Sequence, residues 1–124
     1  MRARFILALA VASFAAQPAC AEGDELVEVS PAVVTGKAYG GDAAPSRIRF
    51  INVRDRAVRI LWISYDGRSV PYAVIEPGHE LVQPTYVAHR WLVVDAADNQ
   101  PLGAYISTRP AARDRGAIQI ALLR

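Results

Sequence analysis

Between Val58 and Tyr65 the chain is apolar at every position except Arg59 and Ser64. Alternation in an extended chain places Val58, Ile60 and Trp62 on one side and Leu61, Ile63 and Tyr65 on the other, so a strand here must be covered on both faces. The run stops at Asp66-Gly67, whose residues tolerate the positive φ of a tight turn, and Pro77-Gly78 repeats the signal. Ile48 and Phe50 alternate with Arg47 and Arg49, which describes a strand with one solvated face. His89 to Val94 and Ala117 to Leu123 are further strand candidates, and Leu102 to Ile106 is a shorter one. No segment carries a convincing helical period of three to four. Short strands between Gly, Pro and Asp turns predict an all-β fold, a single antiparallel β-sandwich of about seven short strands.

The first residues have a different character. Met1-Arg2-Ala3-Arg4 is a positive start, Phe5 to Ala16 is an apolar run, and Ala19-Cys20-Ala21 supplies a small-x-small cleavage pattern. This predicts a signal peptide over 1–21, cleaved before Glu22, and an exported protein, periplasmic or secreted. An apolar run of about a dozen residues falls short of the roughly 20 needed to span a bilayer, so no stable membrane insertion is expected. Two other readings stay open: an uncleaved N-terminal anchor, and lipid attachment at Cys20, although Gln17-Pro18-Ala19 lacks the aliphatic residue that a lipobox places three positions before its cysteine.

Cys20 is the one cysteine in the sequence. Its loss with the signal leaves no disulfide, no thiol catalysis and no thiolate metal ligand. The net charge of +2 is also tied to the signal, because removing Arg2 and Arg4 makes the two signs equal. With Lys37 the single lysine, a nucleic-acid partner has no electrostatic basis. Residues 22–45 read as an N-terminal arm or linker, and 46–124 as the domain. Within the arm, Val27 to Val34 is open between a short strand, an ordered lead-in and a flexible segment.

The stretch from Trp62 to Trp91 holds both tryptophans, both histidines and three of the five tyrosines. Aromatic faces with a few polar groups suit recognition. If the chain is extended without a bulge, Thr85, His89 and Trp91 share one parity and project to the same side. Taken singly, a strand tryptophan in a small sandwich is ordinarily core, and His89 a satisfied structural histidine. His79 and His89 suggest no third ligand, so no metal site is expected. Asp66 and Asp95 read as turn residues, Ser64 and Ser69 lack a nucleophile-elbow context, and Arg54, Arg56 and Arg59 read as solvated positions. No catalytic residue and no cofactor is expected, and the chain is not read as an enzyme.

Ser46-Arg47-Ile48-Arg49-Phe50-Ile51-Asn52, Trp62, Asp66-Gly67, Pro71-Tyr72, Pro77-Gly78 and Thr85-Tyr86…His89…Trp91 can be laid without a gap on the β domain of the von Hippel–Lindau tumour suppressor family, which the chain resembles over this span. The resemblance implies a pocket for a hydroxylated proline in a peptide. Trp62 and Trp91 match the two pocket tryptophans, Tyr72 the tyrosine that closes the pocket, and His89 the histidine that contacts the ring hydroxyl. Thr85 stands where the family has a serine, keeping the hydroxyl and adding a methyl. Pro84 stands where a main-chain carbonyl accepts from the peptide, a contact that proline retains. The expected partner is thus a proline- or hydroxyproline-containing peptide or protein. Between Thr108 and Arg124 there is room for a loop and a last strand but not for the helices that dock elongin C, so no elongin or ubiquitin-ligase partner is expected. The alternative is a structural or protein-interaction sandwich in which the aromatics are core and an edge strand or the arm carries the function.

Overall fold

The computed structural model describes residues 23–41, 44–109 and 118–124. The signal peptide, its cleavage site and Cys20 lie outside the described residues, as does Ala117. Among the described residues no helix is long and apolar enough to cross a membrane.

The expected alternation at Arg47 to Phe50 belongs to β2 (Pro45–Asn52), in which Ser46, Ile48, Phe50 and Asn52 are buried. The two-faced run forms β3 (Val58–Ile63). Around them lie β1 (Gly23–Glu25), β4 (Ser69–Ile75), β5 (Glu80–Tyr86), β6 (Arg90–Asp95), β7 (Pro101–Ile106) and β8 (Ile118–Leu123). They make two four-stranded sheets, ordered β1-β8-β2-β5 and β4-β3-β6-β7. The fold is therefore the all-β sandwich that the sequence implies. Its eighth strand is the three-residue β1, drawn from the arm. Antiparallel pairing prevails except at β8, which runs parallel to both β1 and β2. Parallel neighbours need a long connection, and β8 enters this sheet from β7 of the other one.

Two apolar layers explain the crowding of β3. Val58 and Ile60 join Ile48, Phe50, Ile75, Trp91, Val93, Tyr105, Ala121 and Leu123 between the sheets. Ile63 lies on the opposite face with Leu92, Val94, Ala104 and the fully buried Val34. Val34 belongs to the arm, which is thus an ordered lead-in covering the outer face of the second sheet. A bridge between Val29 and Ala104 holds it there. One helical turn, α1 (Pro31–Val34), is present where the sequence shows no helical period. It arises from local signals instead: Ser30 caps it by accepting from Ala32 N, and Pro31 occupies its first turn.

The turn signals sit where expected. Gly67 and Gly78 have φ of +91° and +77°, and Gly67 N donates to Ser64 O at 2.8 Å. Asp95 is the last residue of β6 and caps the turn that follows, accepting from Ala97 N at 2.8 Å and pairing with Arg56 at 3.1 Å. Within the first sheet, the buried Gln119 of β8 donates to Ser46 Oγ of the neighbouring β2 at 2.7 Å, and it accepts from Thr108 N, just beyond β7, at 3.0 Å.

Candidate functional site

β4 and β5 are edge strands of different sheets, and the residues singled out in the sequence gather at the side of the sandwich that these two edges border. Trp62 of β3 lies opposite Trp91 of β6 in the ladder, so both indoles leave the sheet on the inner face. Trp91 is 1% exposed and packs edge-on to Phe50, with ring centroids 6.0 Å apart. Its Nε1 donates to Thr85 Oγ1 at 3.0 Å, a bond that spans the two sheets. Thr85 is itself buried.

Tyr72 reaches this pair through an irregularity in β4. Ile60 pairs with Ala73 but Leu61 pairs with Pro71, which leaves Tyr72 as the extra residue of a β-bulge. A bulge re-aims its side chain, and the Tyr72 ring stands perpendicular over Trp91 at 5.1 Å while remaining 51% exposed. Trp91, Thr85 and Tyr72 therefore form a floor, a hydroxyl and a half-open wall.

His89 belongs to a neighbouring group. The segment 85–91 is not extended, contrary to the parity argument: Tyr86 to His89 makes a tight turn, with Ala88 at φ +73° and His89 N donating to Tyr86 O at 3.1 Å. The turn carries the chain from one sheet to the other, and Thr85 and Trp91 meet because they face each other across the sandwich. Ser107 pins the turn, its N–H donating to His89 O at 2.9 Å and its carbonyl accepting from Ala88 N at 2.8 Å.

The His89 ring, on a residue only 8% exposed, stacks on Trp62 at 5.4 Å and meets the rings of Tyr65 and Tyr86 at 5.4 and 5.3 Å. Its Nε2 lies 2.7 Å from Tyr65 Oη. Burial pushes the His89 pKa below its ordinary value and so favours the neutral imidazole. Tyr39, brought in by the arm, packs edge-on against Tyr65 at 5.3 Å and donates its hydroxyl to Ile63 O. Burial pushes the Tyr39 phenol up, and Arg90 lies 4.4 Å over its ring. Trp62 Nε1 is buried and among the described residues has no partner at hydrogen-bond geometry, although the Tyr39 hydroxyl is close by.

The structure thus places Trp62, Tyr72, Thr85, His89 and Trp91 along this side of the sandwich in two adjoining groups, and no hydrogen bond links Thr85 to His89. The Pro84 carbonyl accepts from the Gln83 side chain at 2.9 Å and keeps a second lone pair for another donor. Tyr39, Tyr65 and Tyr86 have no site role in the sequence reading. Tyr65 carried a signal, since it lies three residues after Trp62 at the mouth of the Asp66-Gly67 turn. Tyr39 carried none, because only the fold brings the arm to that turn. Two crevices of about 370 and 310 Å³ flank Leu26 and Val27 at the opposite edge. Neither is lined by the five residues.

A family model described as the VHL beta domain matches residues 42–107. The match runs from the last residues of the arm, just before β2, to just past the end of β7 and takes in all five aromatic and polar positions, leaving most of the arm and β8 outside it. The VHL β domain is a protein-interaction module, and its buried aromatic cluster is present in this fold. The sandwich, the cluster and the extent of the match together place the chain in the VHL β-domain family.

Proposed function

We propose that this protein is an exported peptide-binding module that seats a proline or 4-hydroxyproline ring of an extended peptide beside Tyr72 and Trp91. The observation that carries the reading is the half-exposed Tyr72 ring standing over a buried tryptophan whose indole N–H is already held by Thr85. The Thr85 oxygen accepts from Trp91, so its own O–H is left to donate to a ligand. Trp62 and His89 form the adjoining wall, and the Pro84 carbonyl offers an acceptor for a peptide N–H. The role is binding, with no catalytic step.

A second reading has one observation in its favour: Trp91 is almost fully buried, which also fits aromatics that serve only as core, with the edge strands making the protein contacts. Titration with two synthetic peptides that differ by one 4-hydroxyl separates the two. The pocket reading expects the hydroxylated peptide to bind about tenfold to hundredfold more tightly, the range of one hydrogen bond of about 1–3 kcal/mol. It also expects His89→Ala to remove that preference. Equal or absent binding of both peptides would defeat hydroxyl recognition, and an unchanged His89→Ala variant would defeat the site.

A further inference from the structure

We infer that Tyr65 is the positioning residue of this site: its hydroxyl fixes the tautomer of His89, and so decides what the imidazole can offer a ligand. The inference rests on the peptide-binding reading for its functional meaning but on geometry for its substance. Tyr65 Oη and His89 Nε2 are 2.7 Å apart. Among the described residues His89 Nδ1 has no hydrogen-bond partner, and it is not one of the buried unpaired atoms. A neutral imidazole carries one N–H, and the hydrogen bond at one nitrogen settles where it sits. A phenol donates more readily than it accepts, so Tyr65 gives its proton to the Nε2 lone pair and the ring proton stays on Nδ1. The free nitrogen of His89 is then a donor. The ligand group that it meets must accept, as a hydroxyl or carbonyl oxygen does and an ammonium or amide N–H does not.

Tyr65 is placed for this task although 46% of it is exposed. It lies in the turn closed by Gly67 N on Ser64 O, and its own carbonyl accepts from Tyr39 N at 3.0 Å. Edge-on contacts with Tyr39, Trp62 and His89 surround the ring. The backbone of Gly41 lies so close that a Cβ there would fall 2.3 Å from Tyr65 Cε1. The arm therefore reaches His89 indirectly, through the ring that it clamps.

Tyr65→Phe keeps the ring and removes only the hydroxyl. Imidazole ¹⁵N shifts of His89, measured on the free protein, are expected to show the Nδ1–H tautomer in the wild type and a shift toward Nε2–H in the variant. In the peptide titration, the preference for the hydroxylated peptide is expected to fall by about tenfold, with affinity for the plain peptide unchanged. Gly41→Ala, which displaces the ring without touching its chemistry, should shift the tautomer in the same direction and keeps the test decisive if Tyr65→Phe fails to fold. A wild type in the Nε2–H form, or variants that leave the ¹⁵N pattern unchanged, would overturn the inference. If the wild type binds neither peptide while the tautomer responds, the peptide reading fails and the positioning of His89 by Tyr65 stands.

Discussion

His89 meets two demands with one ring, since it fills the space between Trp62, Tyr65 and Tyr86 and keeps a nitrogen for hydrogen bonding. Filling that space removes water, and the loss of water disfavours the charged ring. The folded state therefore resists a proton that the unfolded chain accepts near the ordinary value of 6.5. Below that value the unfolded chain binds more protons, so stability falls as the pH drops, until the lowered pKa of the folded state is passed. Urea midpoints at about pH 7.5 and about pH 5.5 are expected to show this loss in the wild type, and a His89→Gln variant should reduce it. The sequence identified the residue types at this scale but not their partners. Thr85 was legible as a hydroxyl. That its oxygen holds the indole N–H of Trp91 was not, because the bond joins two sheets and depends on the turn at Ala88.

β4 and β5 were the strands least visible in the sequence, and both contain a proline, Pro71 and Pro84. Proline removes a ladder donor and argues against a central strand, but an edge strand tolerates it on the side that has no neighbour. The same two edges carry Tyr72 and Thr85, so the elements hardest to read are those that border the site. The bulge that turns Tyr72 inward was illegible for a related reason, since it is a mismatch between two strands and neither strand shows it alone. β3, β6 and β8, crowded by neighbours, declared themselves through largely apolar runs, broken only by single polar residues such as Arg59 and Gln119. At this scale the turn before β4 can be tested. Gly67 has φ +91°, and a Cβ there would lie 2.8 Å from backbone atoms of Gly36 and Lys37. Gly67→Ala is expected to cost more than about 1 kcal/mol in chemical denaturation. It should also loosen the arm, seen as faster amide exchange at Gly36 and Tyr39, which donate to that turn.

The second sheet of the molecule is covered on both faces, by the first sheet and by the arm. Val34 shows how much depends on the arm: it is fully buried with Ile63, Leu92, Val94 and Ala104. Val34→Ala is expected to lower unfolding free energy by about 2 kcal/mol, from lost burial of two methyl groups and the cavity they leave. The fold class was legible because alternation and turn chemistry act locally. The closure of the sheets was not, since β8 comes from far along the chain to lie between β1 and β2, parallel to each. That placement affects the order of events during synthesis. Until residue 123 has been made, β2 has β5 but lacks its second neighbour, Ser46 lacks the Gln119 amide, and the apolar layer between the sheets is short of Ala121 and Leu123. Pairings between such distant segments form slowly. The sandwich therefore closes only once β8 has joined the other strands, and any shorter chain that stops before Ile118 leaves one edge of β2 open to pairing with another strand.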